Sequence, residues 1–225
     1  MIVKTSAISY PQDIEGVTTP EEFIAYAARV SNPAGQINNM TSDKLIRYLI
    51  KNKHWSPLEM VSITMEINTT RDIGRQILRH RSFSFQEFSQ RYASVEDIND
   101  GIFVFREARL QDMKNRQNSI TTDDEELQRL WHDMQNKVAE QAITVYKQAL
   151  EMGIAKEQAR CVLPEGMTIT RMYMSGTLRS WIHYCDLRCG NGTQLEHMEV
   201  ADEVFIELNK NFPNVVKAIA DARDS

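Results

Sequence analysis

Between Lys53 and Lys114 the chain holds no lysine, yet it carries Arg71, Arg75, Arg79, Arg81, Arg91, Arg106 and Arg109. A surface built for solubility alone mixes both cations. Arginine offers a planar fork of donors that grips phosphate or carboxylate at two points, which a lysine ammonium does not. Arg71, Arg75 and Arg79 recur every fourth residue and share one helical face, where they repel unless acids or a bound anion compensate. Asp72 and Glu87 are the only acids from 71 to 91. Charge alone leaves a solvated basic stripe as an equal alternative. The following loop shifts that balance, because Ser82, Ser84, Gln86, Ser89 and Gln90 interleave neutral donors and acceptors with Phe83, Phe85 and Phe88. Apolar walls with a few directed polar groups are how small-molecule sites are lined. The stretch predicts an anion site for a flat, phosphorylated ligand.

The elements that must position these groups are read from periodicity. Ile2 to Ser9 is a strand stopped by Tyr10-Pro11, and Thr19-Pro20-Glu21-Glu22 starts a helix. Ser42-Asp43-Lys44 opens a second helix, with Leu45, Tyr48 and Leu49 at helical spacing. Val61 to Ile67 alternates as a half-buried strand, and Thr70 caps a helix to about His80. A polar loop follows, then a short strand from Phe103 to Phe105. A long amphipathic helix runs from Thr122 to Met152, closed by Gly153. Ala155 to Val162 is a shorter helix ended by Pro164, and Met167 to Met174 is a strand. Helices over Thr177 to Leu187 and Thr193 to Asn211 precede a short tail after Pro213. The expected fold is mixed α/β (α+β): one domain over residues 1–225, a mostly antiparallel sheet flanked by helices.

Twenty-six basic against 31 acidic residues give a net charge of −5, which argues against general nucleic-acid binding. Cys161, Cys185 and Cys189 are too few and odd in number for a disulfide framework. His183-x-Cys185-x3-Cys189 lacks a fourth ligand, so no metal is expected. The N-terminus shows no signal-peptide h-region and no apolar run spans a bilayer. A cytoplasmic protein without membrane contact is the expectation.

Arg79-His80-Arg81, seven residues, then Ser89-Gln90-Arg91-Tyr92 resembles the signature of the flavin-dependent thymidylate synthases. Further blocks follow in the family's order. Ala28-Arg29-Val30-Ser31 is similar to its N-terminal element, and His54-Trp55-Ser56-Pro57-Leu58-Glu59 to its His-x-x-Pro-x-Glu. Ala159-Arg160-Cys161-Val162-Leu163-Pro164 and the late Arg179 and Arg188 complete the likeness, which runs from about residue 28 to 196. Met60 and Gly192 stand where the family commonly has histidines.

The resemblance implies reductive methylation of dUMP to dTMP, with FAD as cofactor and NADPH and 5,10-methylenetetrahydrofolate as co-substrates. By matching position, it assigns dUMP to Gln76, Arg79, Glu87, Ser89, Arg91, Arg160 and Arg188. FAD falls to Ser31, His54, Ser56, Glu59, Arg79, His80, Arg81 and Arg179. Arg188 is the expected catalytic group, stabilising negative charge on the uracil as C5 becomes nucleophilic; its bland alternative is a helix C-terminal arginine complementing the dipole. Ser89 has no sequence-evident base and is assigned to binding, since an unactivated serine is a weak nucleophile. The resemblance also implies a homotetramer with shared sites, which would explain arginines close together without an intrachain counter-charge. The alternatives are a non-catalytic nucleotide or RNA module using the same loop, and a flavin reductase that acts without folate.

Overall fold

Alternating side chains make the frame of the molecule. In the computed structural model, which describes residues 2–93, 101–190 and 192–223, the strands are β1 (Ile2–Ile8), β2 (Ser62–Thr70), β3 (Ser84–Glu87), β4 (Arg109–Gln111), β5 (Ser119–Thr121) and β6 (Ile169–Thr177). Part of the expected polar loop, residues 94–100, and Asn191 of the Arg188 to Gln194 stretch lie outside the described residues. β1, β2, β6 and β3 form, in that order, a four-stranded sheet whose pairings are all antiparallel. Ile63, Met65 and Ile67 of β2 and Met172 and Met174 of β6 point inward and are buried. Their alternates pair on the other face: Thr64 with Ser175, Glu66 with Tyr173 and Asn68 with Arg171.

The helices are α1 (Pro20–Ala28), α2 (Ser42–Lys51), α3 (Arg71–Ile77), α4 (Glu125–Glu151), α5 (Lys156–Ala159), α6 (Leu178–Arg188), α7 (Leu195–Asn211) and α8 (Pro213–Arg223). The apolar stripes of α2, α6, α7 and α8 cover the inner sheet face with Ile46, Trp181, Val204, Leu208 and Ile219 among the buried residues. Trp181 also satisfies its indole N–H on the Ile63 carbonyl at 3.1 Å, fixing α6 to β2. Thr19 and Glu22 form a reciprocal capping box at the start of α1.

Five expectations need correction. The tail after Pro213 is α8, because proline at a first helical position is a start signal and Val215, Val216 and Ile219 give a buried face. The loop after His80 contains β3: Phe85 and Glu87 turn inward while Ser84 and Gln86 are exposed, a period of two. Phe103 to Phe105 makes only a single bridge, Phe103 to Thr168. The helix expected to reach His80 ends at Ile77, and the helix expected from Ala155 to Val162 is one α-helical turn continued by a tighter 3-10 turn, Arg160–Val162.

The long helix α4 has a second task. Gln135 accepts the Arg106 N–H and donates to the Arg106 carbonyl, both at 2.8 Å. One heptad earlier, Gln128 makes the same pair of bonds with Ala108 at 2.7 and 3.0 Å. Two side-chain amides thus stand in for a neighbouring strand and hold residues 106–108 extended. That places Arg106 and Arg109 toward α3 and α7.

Candidate active site

The signature and the late arginine meet between α3, α6 and α7. His80 lies just past the end of α3, and its Nε2 accepts the Arg188 Nε–H at 3.0 Å. The ring sits edge-on to Tyr184, 4.9 Å between centroids. Gln76, on α3, bonds Gln194 at 2.7 Å through its amide nitrogen and His197 at 3.2 Å through its oxygen. His197 is fully buried and its other nitrogen meets the Tyr184 hydroxyl at 3.1 Å. Burial and then the Arg188 charge depress both imidazoles, to about 4 for His80 and about 3 for His197. Both are neutral at physiological pH, and burial pushes the Tyr184 phenol upward. The result is a desolvated cluster that holds one guanidinium which, among the described residues, forms no ion pair with a carboxylate.

A second cluster forms at the far end of the sheet. Glu87, at the end of β3, accepts the Thr170 hydroxyl at 2.9 Å and the Arg75 guanidinium at 3.3 Å, with Arg71 at 3.7 Å. Glu165 lies 3.9 Å from Arg71 and 3.6 Å from Arg75. Gly74 lets α3 approach β6 closely, since a Cβ would come 3.3 Å from Thr170 Cγ2, a fit that needs the neighbour to shift by a few tenths of an ångström. Arg91 reaches Glu157 at 3.8 Å, and Arg160 donates to the Glu157 carbonyl at 3.3 Å. Ser89 accepts the Arg91 N–H at 3.4 Å, and among the described residues no imidazole or carboxylate bonds its hydroxyl.

The expectation that the arginines lack intrachain counter-charges is therefore too broad. Arg71 and Arg75 share Glu87 and Glu165, Arg106 holds Asp72 at 2.9 Å, Arg109 bonds Glu196, and Arg179 pairs with Glu59. The helical stripe is also shorter than its spacing suggested: Arg71 is buried and Arg79 lies beyond the helix. Arg79 and Arg81 remain exposed, and neither makes an ion pair among the described residues.

His54, Ser56 and Arg179 line one shallow cleft with Ala28, Trp55 and Pro57. A 3-10 turn, Ser56–Met60, leads from this cleft into β2, and α6 begins beside it. Along α6, nine residues separate Arg179 from Arg188, about 13 Å at 1.5 Å per residue. Ser180 donates to the Ser82 carbonyl at 3.5 Å, which brings the Arg81-Ser82 segment to the same end. Ser31 is exposed beyond α1 and joins none of these clusters by a hydrogen bond. Phe83 lies over Gly176, where a Cβ would come 2.4 Å from its ring, and packs edge-on to Trp181 at 4.8 Å.

Sequence reasoning missed Tyr184, Glu196 and His197. Their signal is present in retrospect: polar side chains at positions where α6 and α7 present their apolar faces. It also missed Arg109 as the partner of Glu196. Among the described residues no disulfide joins the three cysteines, and no group of three His, Cys, Asp or Glu is placed to hold a metal. No helix among them is long and apolar enough to cross a membrane.

Comparison with known proteins bears on what this arrangement does. The family described as "Thymidylate synthase complementing protein" matches residues 14–214. A probable flavin-dependent thymidylate synthase of Paramecium bursaria Chlorella virus 1 is 51% identical over 222 residues, 97% of this chain and 99% of the relative. The flavin-dependent thymidylate synthase of Synechocystis is 48% identical over 201 residues, 89% and 90% of the two chains. Among solved structures, a UMP/dUMP methylase from Streptomyces cacaoi bound with 5-Br dUMP superposes with a TM-score of 0.81 at 25% identity, covering 98% of this chain and 94% of that one.

Proposed function

The chain belongs to the flavin-dependent thymidylate synthase family, and from that premise we propose that its methylation of dUMP to dTMP uses FAD, takes its carbon from 5,10-methylenetetrahydrofolate and its electrons from NADPH. The observation that carries this reading is the Arg188 to His80 hydrogen bond at 3.0 Å. It joins the signature to the late arginine 108 positions away and leaves the guanidinium's other donors for a substrate.

The residues present fit a dinucleotide. Arg79 and Arg81 are exposed cations without carboxylate partners among the described residues, which is donor chemistry suited to a pyrophosphate. The cleft of His54, Ser56 and Arg179 adds an apolar and aromatic wall through Trp55 and Pro57. On this reading Ser31, His54, Ser56, Glu59, Arg79, His80, Arg81 and Arg179 hold FAD, and Glu59 acts by orienting the Arg179 fork. Bound there, a flavin supplies hydride-transfer chemistry.

Gln76, Arg79, Glu87, Ser89, Arg91, Arg160 and Arg188 receive dUMP. Arg160 and Arg91 meet at Glu157 and suit the phosphate. Arg188, whose Nε–H rests on the neutral His80 ring, faces the uracil carbonyls and stabilises the charge that develops when C5 turns nucleophilic. Ser89 binds and does not attack, because among the described residues no base contacts its hydroxyl. Flat rings held face to face make positioning a large part of the rate.

The same reading takes the protein as a single domain and a cytoplasmic homotetramer with shared sites. Leu130, Trp131, Met134 and Val138 are exposed along α4, an apolar face suited to a second copy. Gel filtration giving a monomer with full flavin content would overturn the tetramer. For the chemistry, purified protein should be yellow, and tritium should be released from 5-tritiated dUMP only with NADPH and methylenetetrahydrofolate both present. Flavin reduction by NADPH with no tritium release in the complete mixture would point instead to a reductase.

A further inference from the structure

The side chains behind Gln76 form a chain of hydrogen bonds whose direction is dictated from one end. A carboxylate only accepts. Glu196 Oε2 lies 2.9 Å from the Gln194 amide, while its other oxygen takes Arg109. Gln194 must therefore turn its NH2 to Glu196 and its oxygen to Gln76, 2.7 Å away. Gln76 must answer with its own NH2, which leaves its oxygen facing His197 Nδ1 at 3.2 Å. That nitrogen must carry the imidazole proton, so Nε2 accepts from the Tyr184 hydroxyl at 3.1 Å. Reversing either amide alone sets like groups against each other at its own links, and reversing both together sets the Gln194 oxygen against the Glu196 carboxylate.

We propose that His197, backed by Tyr184, is a positioning residue that locks the Gln76 side chain in one orientation, so that its remaining N–H is presented to an acceptor oxygen of the bound nucleotide. The inference rests on the reading that dUMP lies at Gln76. His197 is suited to the task because it is fully buried and wedged between α3, α6 and α7, with no room to exchange its partners for water. The groups that face it are Tyr184 and Arg188 from α6, and Gln76 and His80 from α3 and the segment after it. Burial and, after it, the Arg188 charge keep the ring neutral, and only the neutral ring donates at one nitrogen while accepting at the other. Without the lock the amide could flip and present its oxygen, which repels a carbonyl or phosphate oxygen where the N–H attracts it.

The test is the dUMP dissociation constant of the flavin-loaded enzyme, measured by equilibrium dialysis for Gln76→Ala, His197→Leu and the double variant, with steady-state kinetics alongside. Each single variant should weaken dUMP about tenfold, the equivalent of one directed hydrogen bond, and raise KM while kcat stays within about threefold. The double variant should be no weaker than Gln76→Ala alone, because the lock has nothing left to act on. Multiplied effects in the double variant would overturn the lock while leaving dUMP at Gln76. An unchanged affinity in Gln76→Ala would instead overturn the placement of dUMP, and the lock with it. His197→Asn retains a donor close to the Nδ1 position and should recover to within about threefold of the parent. A loss in His197→Asn equal to that in His197→Leu, at an unchanged Tm, would make His197 a space-filling residue and overturn the proposal. Should His197→Leu fail to fold, Glu196→Gln decides, since it removes the accept-only terminus; dUMP affinity unchanged in that variant overturns the directional argument.

Discussion

Arg188 gives its Nε–H to His80 Nε2 at 3.0 Å, and His80 is held neutral by burial and by the same guanidinium. A neutral acceptor orients the fork without cancelling its charge, whereas a carboxylate there would pair it off. The charge is thereby reserved for the substrate. Arg188→Ala should lower turnover by roughly 10²–10³, the usual cost of removing a preorganised donor, while the flavin absorbance of the purified protein stays near the parent's. Arg188→Lys should not restore turnover, because an ammonium cannot donate to His80 and present a planar fork at once. Loss of flavin in step with activity would place Arg188 with the cofactor.

Ser89 sits on the signature loop with its hydroxyl turned to the Arg91 N–H. Replacing it by alanine removes a binding contact and leaves that N–H free to meet water. Ser89→Ala should therefore retain measurable turnover, with KM raised by up to about tenfold. A dead variant with normal dUMP and flavin binding would restore the nucleophile assignment. Arg79→Ala, by contrast, should lose both dUMP and flavin, because Arg79 serves both in the proposed site.

His80 and His197 tie stability to pH in a definite direction. Their folded values, about 4 and about 3, lie below the ordinary 6.5, so below pH 6.5 the unfolded chain binds protons that the folded chain refuses. Stability is full above about 6.5 and declines as pH falls toward 4. Thermal melts should show Tm lowered by roughly 5 °C or more between pH 7 and pH 4.5. His197→Leu should flatten that slope. A slope that is the same in parent and variant would remove His197 as its source.

Much of this was legible in the sequence, and the failures have physical causes. β1, β2, β6 and the helices α1, α2, α4, α6 and α7 announced themselves through a single strong period each. β3 did not, because Phe83, Phe85 and the serines between them read equally well as a binding loop; the strand exists because β6 offers it an edge. α8 was hidden by proline, which stops a helix from within and starts one at its first turn. Glu87 was visible as one of only two acids, yet the sequence could not say that it turns back onto Arg71 and Arg75. Glu165 and Glu196, two further counter-charges, come from far along the chain and no local pattern predicts them. His197 was legible only as a polar side chain on the apolar face of α7; a lone histidine there carries no sign of the amide it faces.

Glu87 gives that long-range pairing a measurable consequence. Arg71 is 7% exposed, so removing its nearer carboxylate leaves a buried cation with Glu165 alone at 3.9 Å. Glu87→Ala should lower unfolding free energy by about 2 kcal/mol, less than the 3–5 kcal/mol of a wholly orphaned pair, read as a lower urea midpoint at unchanged m-value. An unaltered midpoint would mean that Glu165 compensates fully and that Glu87 is free to serve the ligand.

The sequence resemblance sets Gly192 at a position where histidine is expected, and the backbone there explains why this chain cannot simply carry one. Its φ is +93°, a region that side-chain-bearing residues adopt only at a cost of about 1–3 kcal/mol. A Cβ would itself meet no obstacle closer than Gln117 Oε1 at 3.6 Å, so the penalty is conformational and not steric. Gly192 is also two residues from Gln194, whose amide must hold both Gln76 and Glu196. Relaxing the backbone to suit a histidine would move that amide before it relieved the strain. Gly192→His should therefore lower Tm by several degrees and weaken dUMP, in place of any gain from restoring the family residue. Gly192→Ala, equally strained but carrying no imidazole, should lose as much. A histidine variant that binds dUMP more tightly than the parent would show that this loop has a second conformation in which φ is negative and the ring reaches the site.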